Sequence, residues 1–166
     1  MSSTETLDGG AVRAVVVTTS SAQRGVRLEA LGATHVLNRS GEGGSDAPSG
    51  YDVIIDVVAG VDLPSFIDRL NPGGRYVVVG AVASMHPATF GAKLTEAFQK
   101  SMSFATFSTA LIPSAVRRAV RLEQFDALRD ARLEAVIHDM LRLREAALAH
   151  RKMDAGEVVG RIVLAP

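Results

Sequence analysis

Residues 51–80 read YDVIIDVVAG VDLPSFIDRL NPGGRYVVVG, and this stretch decides the fold. Tyr51 to Val58 is a run of β-branched and aromatic side chains interrupted only by Asp52 and Asp56. Such a run fits a strand covered on both faces, as in a parallel sheet. Gly60 breaks it. Leu63, Phe66, Ile67 and Leu70 follow at i, i+3, i+4 and i+7, which marks one face of a helix. Asp62 stands where an N-cap belongs. Asn71-Pro72-Gly73-Gly74 ends the helix in a tight turn, and Arg75 to Gly80 reads as a strand again. Strand, helix and strand joined by short connections predict a parallel α/β unit.

The alternation continues outward. Residues 12–18 are nearly all apolar and β-branched, and predict another buried strand. Thr18 to Ser21 offers an N-cap for a helix running to about Leu31, with Gly32 as the residue past its end. His35 to Leu37 is a short strand. Residues 40–50 contain no apolar side chain larger than alanine and form a loop. Downstream, residues 88–100 read as helical and Met102 to Phe107 as a strand. Residues 113–130 make a charged helix in which Arg117, Arg118, Arg121, Arg129 and Arg132 interleave with Glu123, Asp126, Asp130 and Glu134, the pattern of a solvated face. Ala135 to Met140 reads as a strand, Leu143 to His150 as a helix, and Val158 to Leu164 as a closing strand.

Composition sets the outer bounds. At roughly 150 residues per domain, 166 residues predict one domain, here 11–166 behind a flexible tail over 1–10. Basic and acidic residues balance at 18 each, so no nucleic-acid partner is expected. The chain has no cysteine, which excludes disulfides, thiolate metal sites and a cysteine nucleophile. No apolar run approaches the ~20 residues of a membrane span, and the N-terminus has no signal-peptide pattern. The expectation is a soluble cytoplasmic domain with no membrane partner.

Four segments carry a resemblance. Ala14 to Asn38 contains Leu31-Gly32-Ala33-Thr34-His35-Val36. Tyr51 to Gly60 is the second segment. Leu70-Asn71-Pro72-Gly73-Gly74-Arg75 through Gly80 is the third. Ala146 to Gly156 with Gly160-Arg161-Ile162-Val163-Leu164 is the fourth. In this order they resemble the medium-chain dehydrogenase/reductase superfamily, especially its zinc-free quinone and enoyl reductase branch, over about residues 12–166. The resemblance implies a Rossmann-like parallel sheet with helices on both faces. Residues 135–166 resemble the segment that returns to the family's catalytic domain.

Set beside that family, the sequence reads as truncated. It contains no G-x-G-x-x-G, the loop whose backbone N–H groups hold the dinucleotide pyrophosphate. It also lacks counterparts of the catalytic domain and of the first Rossmann strand. In the sheet order 3-2-1-4-5-6 that strand is central. Either residues 12–18 and 51–58 pair directly, or a partner chain fills the gap.

The resemblance assigns cofactor-binding residues. Thr19, Ser20, Ser21 and Arg24 follow the strand where relatives hold the adenosine ribose, and Arg39 lies after the next strand. Hydroxyls with cations, and no acid at that turn, favour the 2′-phosphate of NADP. Ser20 and Ser21 also suit plain helix capping. Val58, Ala59, Val79, Gly80 and Ala81 lie at strand C-termini, where ligands of open α/β sheets bind; Gly60 fits a positive-φ turn alone. No metal ligand set is expected from His35, His86, His138 and His150, and no catalytic residue is assigned. His86 follows a strand end and is the best-placed acid/base group. Asp56, inside an apolar strand, suits a structural hydrogen bond.

Three functions follow. The first is an NADP(H)-dependent oxidoreductase-like cofactor-binding domain of the quinone or enoyl reductase type, incomplete on its own and acting on a small molecule. The second is a cofactor-independent isomerase or cyclase using the cleft at the strand ends. The third is a non-catalytic binding or assembly module. Residues 102–107 suit an edge strand that pairs across a homodimer.

Overall fold

The computed structural model describes residues 16–18, 21–82 and 85–166, with Val17 and Thr18 described by their backbone alone. Two units divide the chain, Met1–Ser108 and Thr109–Pro166. Both are α/β and all their strand pairs are parallel.

In the first unit, β1 (Val16–Thr18) leads through α1 (Ala22–Ala30) to β2 (His35–Leu37), and β1 pairs with β2. Helix α1 begins and ends where the sequence signals it. Ser21 is its N-cap, and Gly32 beyond its end has φ +102°. Next, β3 (Tyr51–Asp56) leads through α2 (Leu63–Asp68) to β4 (Leu70–Val78), and α3 (Phe90–Glu96) with a 3-10 turn leads to β5 (Ser103–Thr106). These strands form a sheet in the order β3-β4-β5. β4 starts earlier than the pattern suggests. The Asn71 to Gly74 turn lies inside it, as an irregularity in the pairing between Tyr51 and Val53, with Gly73 at φ +76°. Asp62 takes the N-cap position of α2 but makes no side-chain cap bond, because its own backbone is already helical.

One face of this sheet carries the core. Leu63, Ile67, Leu70 and Tyr76 are buried, and Ile54, Phe66, Val78, Phe90, Met102 and Phe104 pack around them. Tyr76 stacks on Phe104, and Phe90 tilts against the same ring. On the opposite face Val53, Ile55 and Val57 are more than half exposed.

Among the described residues, Val16–Thr18 does not pair with Tyr51–Asp56. Among the described residues β1 pairs only with β2, and β3 only with β4. Each strand takes its register from the partner its own crossover helix delivers. The connection over residues 40–50 is a loop, so no helix draws the two sheets together. Strands 12–15 of the expected run lie outside the described residues.

In the second unit, α4 (Ser114–Arg129) buries no residue, as a charged helix should. Its charges answer one another locally, with Arg129 at 2.8 Å from Asp126 and close to Asp130. β6 (Ile137–Arg142) and β7 (Arg161–Ala165) pair through α5 (Ala146–Asp154). Lys152 on α5 meets Asp139 on β6 at 2.6 Å. That bond holds the Asp139 carboxyl below the ordinary carboxylate range and raises the Lys152 ammonium above its own. No described helix is long and apolar enough to cross a membrane.

Candidate functional site

The polar end of α1 and the loop after β2 enclose an open cavity of about 650 Å³. Ser21 and Ala22 line it from the helix. Val36 and Leu37 line it from β2. Asn38, Arg39 and Ser40 close it from the loop. Two of the sequence-assigned residues, Ser21 and Arg39, are thus brought together. Thr19 and Ser20 lie outside the described residues. The Ser21 hydroxyl accepts the Arg24 backbone N–H at 3.3 Å, which is helix capping. Its own proton remains available to a ligand. None of the described lining residues is acidic, and Arg39 brings a positive charge to the cavity.

Asn38 and Ser40 were not assigned from sequence. Their signal is Asn38-Arg39-Ser40-Gly41, an Asn before a Gly at a strand end, which marks an ordered turn. Asn38 Oδ1 accepts from the Ser40 hydroxyl at 3.0 Å and from the Glu42 N–H at 2.9 Å.

The second group of assigned residues sits at the C-terminal ends of β3 and β4. Asp56 organises it. Its Oδ1 accepts the N–H groups of Val58 and Ala59, each at 2.8 Å. Its Oδ2 accepts the Tyr76 hydroxyl at 2.6 Å. Burial, then this hydrogen bond and the carboxylate's charge, push the Tyr76 hydroxyl far above the ordinary phenol range. The chain turns through Ala59 at φ +53° and Gly60 at φ +104°. Val79 donates to the Asp56 carbonyl at 2.8 Å, and Val82 to the Val58 carbonyl at 3.1 Å. The two turns are therefore bound side by side. Gly80 is required there, since a Cβ would stand 2.8 Å from the Val57 carbonyl oxygen. Ala81 is exposed beside it.

The histidines do not converge. The His86 ring packs edge-on against Phe90 at 4.4 Å, beside the aromatic core. His35 lies 3.8 Å from Asp46. His138 Nδ1 accepts the Val159 N–H at 3.5 Å, and His150 is exposed.

These elements, in this order, match a family model described as zinc-binding dehydrogenase over residues 31–164. The chain belongs to that family. It is a member of the medium-chain dehydrogenase/reductase superfamily, matched over its C-terminal part. Over 75 residues it is 43% identical to a probable cinnamyl alcohol dehydrogenase 8A of Oryza sativa subsp. japonica, across 44% of this chain and 21% of that protein. It superposes on an NAD-dependent alcohol dehydrogenase with a TM-score of 0.71 at 24% identity, covering 92% of this chain and 44% of the other. For the quinone oxidoreductase of Coxiella burnetii the TM-score is 0.62 at 25% identity, over 90% and 44%. The chain thus spans less than half the length of these relatives.

The family description names zinc, and these residues do not fit it. The sequence holds no cysteine, and no three His, Asp or Glu side chains converge among the described residues. A nicotinamide dinucleotide fits in part. No Gly-rich phosphate loop occurs in the 166 residues to hold its pyrophosphate.

Proposed function

We propose that this dehydrogenase-family chain supplies the adenosine side of an NADP(H) site in an oxidoreductase of the quinone or enoyl reductase type. The observation that carries this reading is the cavity of about 650 Å³, lined by Ser21 and Arg39 and by no acid among the described residues. A guanidinium matches phosphate geometry with two parallel donors, and a serine hydroxyl adds a third. An acid at that turn would instead select the free ribose hydroxyls of NAD. The family resemblance assigns Thr19, Ser20 and Arg24 to the same end of the site. Val58, Ala59, Val79, Gly80 and Ala81 line the route toward the nicotinamide along the strand ends.

When bound, the cofactor supplies hydride transfer. The protein's own part is to hold the ribose substituent at Ser21 and Arg39. It also keeps the turns at 58–60 and 79–81 fixed through Asp56. The pyrophosphate needs backbone donors from outside these residues, so cofactor binding by this chain alone is weak.

A second reading, a binding or assembly module, is favoured by one observation. β3 turns Val53, Ile55 and Val57 outward, and parallel sheets are covered on both faces. β5 leaves its outer edge unpaired among the described residues, which suits a homodimer or a partner chain. For the isomerase or cyclase alternative, the His86 ring packs edge-on against Phe90 at 4.4 Å.

Calorimetric titration with NADPH, NADP⁺ and 2′,5′-ADP tests the first reading. Binding of the phosphorylated ligands, lost in Arg39→Glu, is expected. A folded chain that takes up none of them at millimolar concentration refutes it.

A further inference from the structure

Arg39 is exposed, and a free arginine side chain samples many rotamers. Such a side chain selects between ligands only as well as its backbone aims it and its neighbours leave it uncommitted. Both conditions trace to one residue. Asn38 Nδ2 donates to the Glu42 carboxylate at 2.8 Å. Asn38 Oδ1 takes the Ser40 hydroxyl and the Glu42 N–H. The backbone closes the same loop, with Asn38 N–H to the Glu42 carbonyl at 2.8 Å and Gly41 N–H to the Asn38 carbonyl at 3.0 Å. Arg69, the C-cap residue of α2, anchors the loop from below by donating to the Gly41 carbonyl.

Two consequences follow. Ser40 commits its proton to Asn38, so Arg39 is the charged donor this loop offers the cavity. Glu42 is the acid nearest to Arg39 in sequence, three residues away, and Asn38 holds its carboxylate. Released, that carboxylate would compete with a phosphate for the guanidinium.

We infer that Asn38 is a positioning residue that sets the preference of this cavity for a phosphorylated ribose over a free one. It does so by restraining Glu42 and aiming Arg39. The inference rests on the nucleotide reading above.

The test is calorimetric titration of the full chain with 2′,5′-ADP and with 5′-AMP. The wild type binds 2′,5′-ADP more tightly. In Asn38→Ala, 2′,5′-ADP affinity falls about tenfold, the scale of one charge-assisted bond, while 5′-AMP affinity holds. The double variant Asn38→Ala with Glu42→Gln regains part of the preference, because the competing charge is gone while the aim of Arg39 stays lost. Asn38→Ser keeps a short acceptor for the loop but cannot reach the Glu42 carboxylate. It lowers the same ratio and carries the test if the alanine variant fails to fold. An unchanged ratio, or an equal loss for both ligands, overturns the inference and leaves the nucleotide reading intact. A wild type that binds neither ligand overturns both.

Discussion

The Tyr76 hydroxyl donates to the Asp56 carboxylate at 2.6 Å across the β3–β4 pair, and Tyr76 is 1% exposed. This bond ties the apolar core to the turn at the strand ends. Replacing Tyr76 with Phe is expected to cost about 2 kcal/mol, the scale of a hydrogen bond to a charged group. Urea unfolding measures it. The variant also changes the alkaline limb. Above the ordinary phenol value of 10.0 the unfolded tyrosine ionises while the folded one stays protonated, so stability falls as pH rises. Tyr76→Phe should abolish that part of the fall.

Asp56→Ala removes three hydrogen bonds at once, those donated by Val58, Ala59 and Tyr76. Ala59 sits at φ +53°, a conformation an alanine holds only when its surroundings impose it. The expected loss is about 3 kcal/mol, since the buried Tyr76 hydroxyl is left unpaired and two turn N–H bonds are lost. Amide exchange should quicken first at Val58 and Ala59. Equal quickening across β3 and β4 would mean that Asp56 supports the sheet rather than the turn.

Two glycines should respond in opposite directions. Gly80→Ala places a Cβ 2.8 Å from the Val57 carbonyl oxygen, and destabilisation of about 1–3 kcal/mol is expected. Gly91 lies in α3 with open space around its Cα, so Gly91→Ala should stabilise by roughly 0.5–1 kcal/mol. Thermal melts of the pair suffice. A destabilised Gly91→Ala contradicts the open space.

Ser21→Ala separates capping from binding. Loss of the bond to the Arg24 N–H should cost about 1 kcal/mol of stability. Under the nucleotide reading it should also weaken 2′,5′-ADP. Lower stability with unchanged affinity would leave Ser21 as a cap alone.

The Asp139–Lys152 pair predicts a pH window for the second unit. Asp139 has a lowered pKa, so its contribution is present above the unfolded value and lost as pH falls through the folded one. Lys152 has a raised pKa, so its contribution is present below the unfolded value and lost as pH rises through the folded one. Protection of β6 and α5 in amide exchange should hold near neutrality and fall at both extremes. Asp139→Asn should remove the acid limb.

Sequence alone determined the elements. The Leu63, Phe66, Ile67 spacing of α2, the capping Ser21 and Gly32 beyond α1 are local signals, because periodicity, capping and positive φ depend on near neighbours, whereas Leu70, read as the last residue of that helix face, opens β4. It also located Arg39 and the small residues at the strand ends. Tertiary structure decided the rest, because the remaining contacts join residues far apart in the chain. Asp56 meets Tyr76 twenty residues later, Arg69 reaches Gly41 from α2, and Lys152 reaches Asp139 from α5. No pattern in Asn38-Arg39-Ser40 says whether the loop opens into a cavity. That depends on α1 standing opposite, which the parallel β1–β2 pairing enforces. Nor could composition choose between closing and leaving open the gap between β1 and β3. The strand pairings leave it open, since each strand follows the partner its own crossover helix delivers.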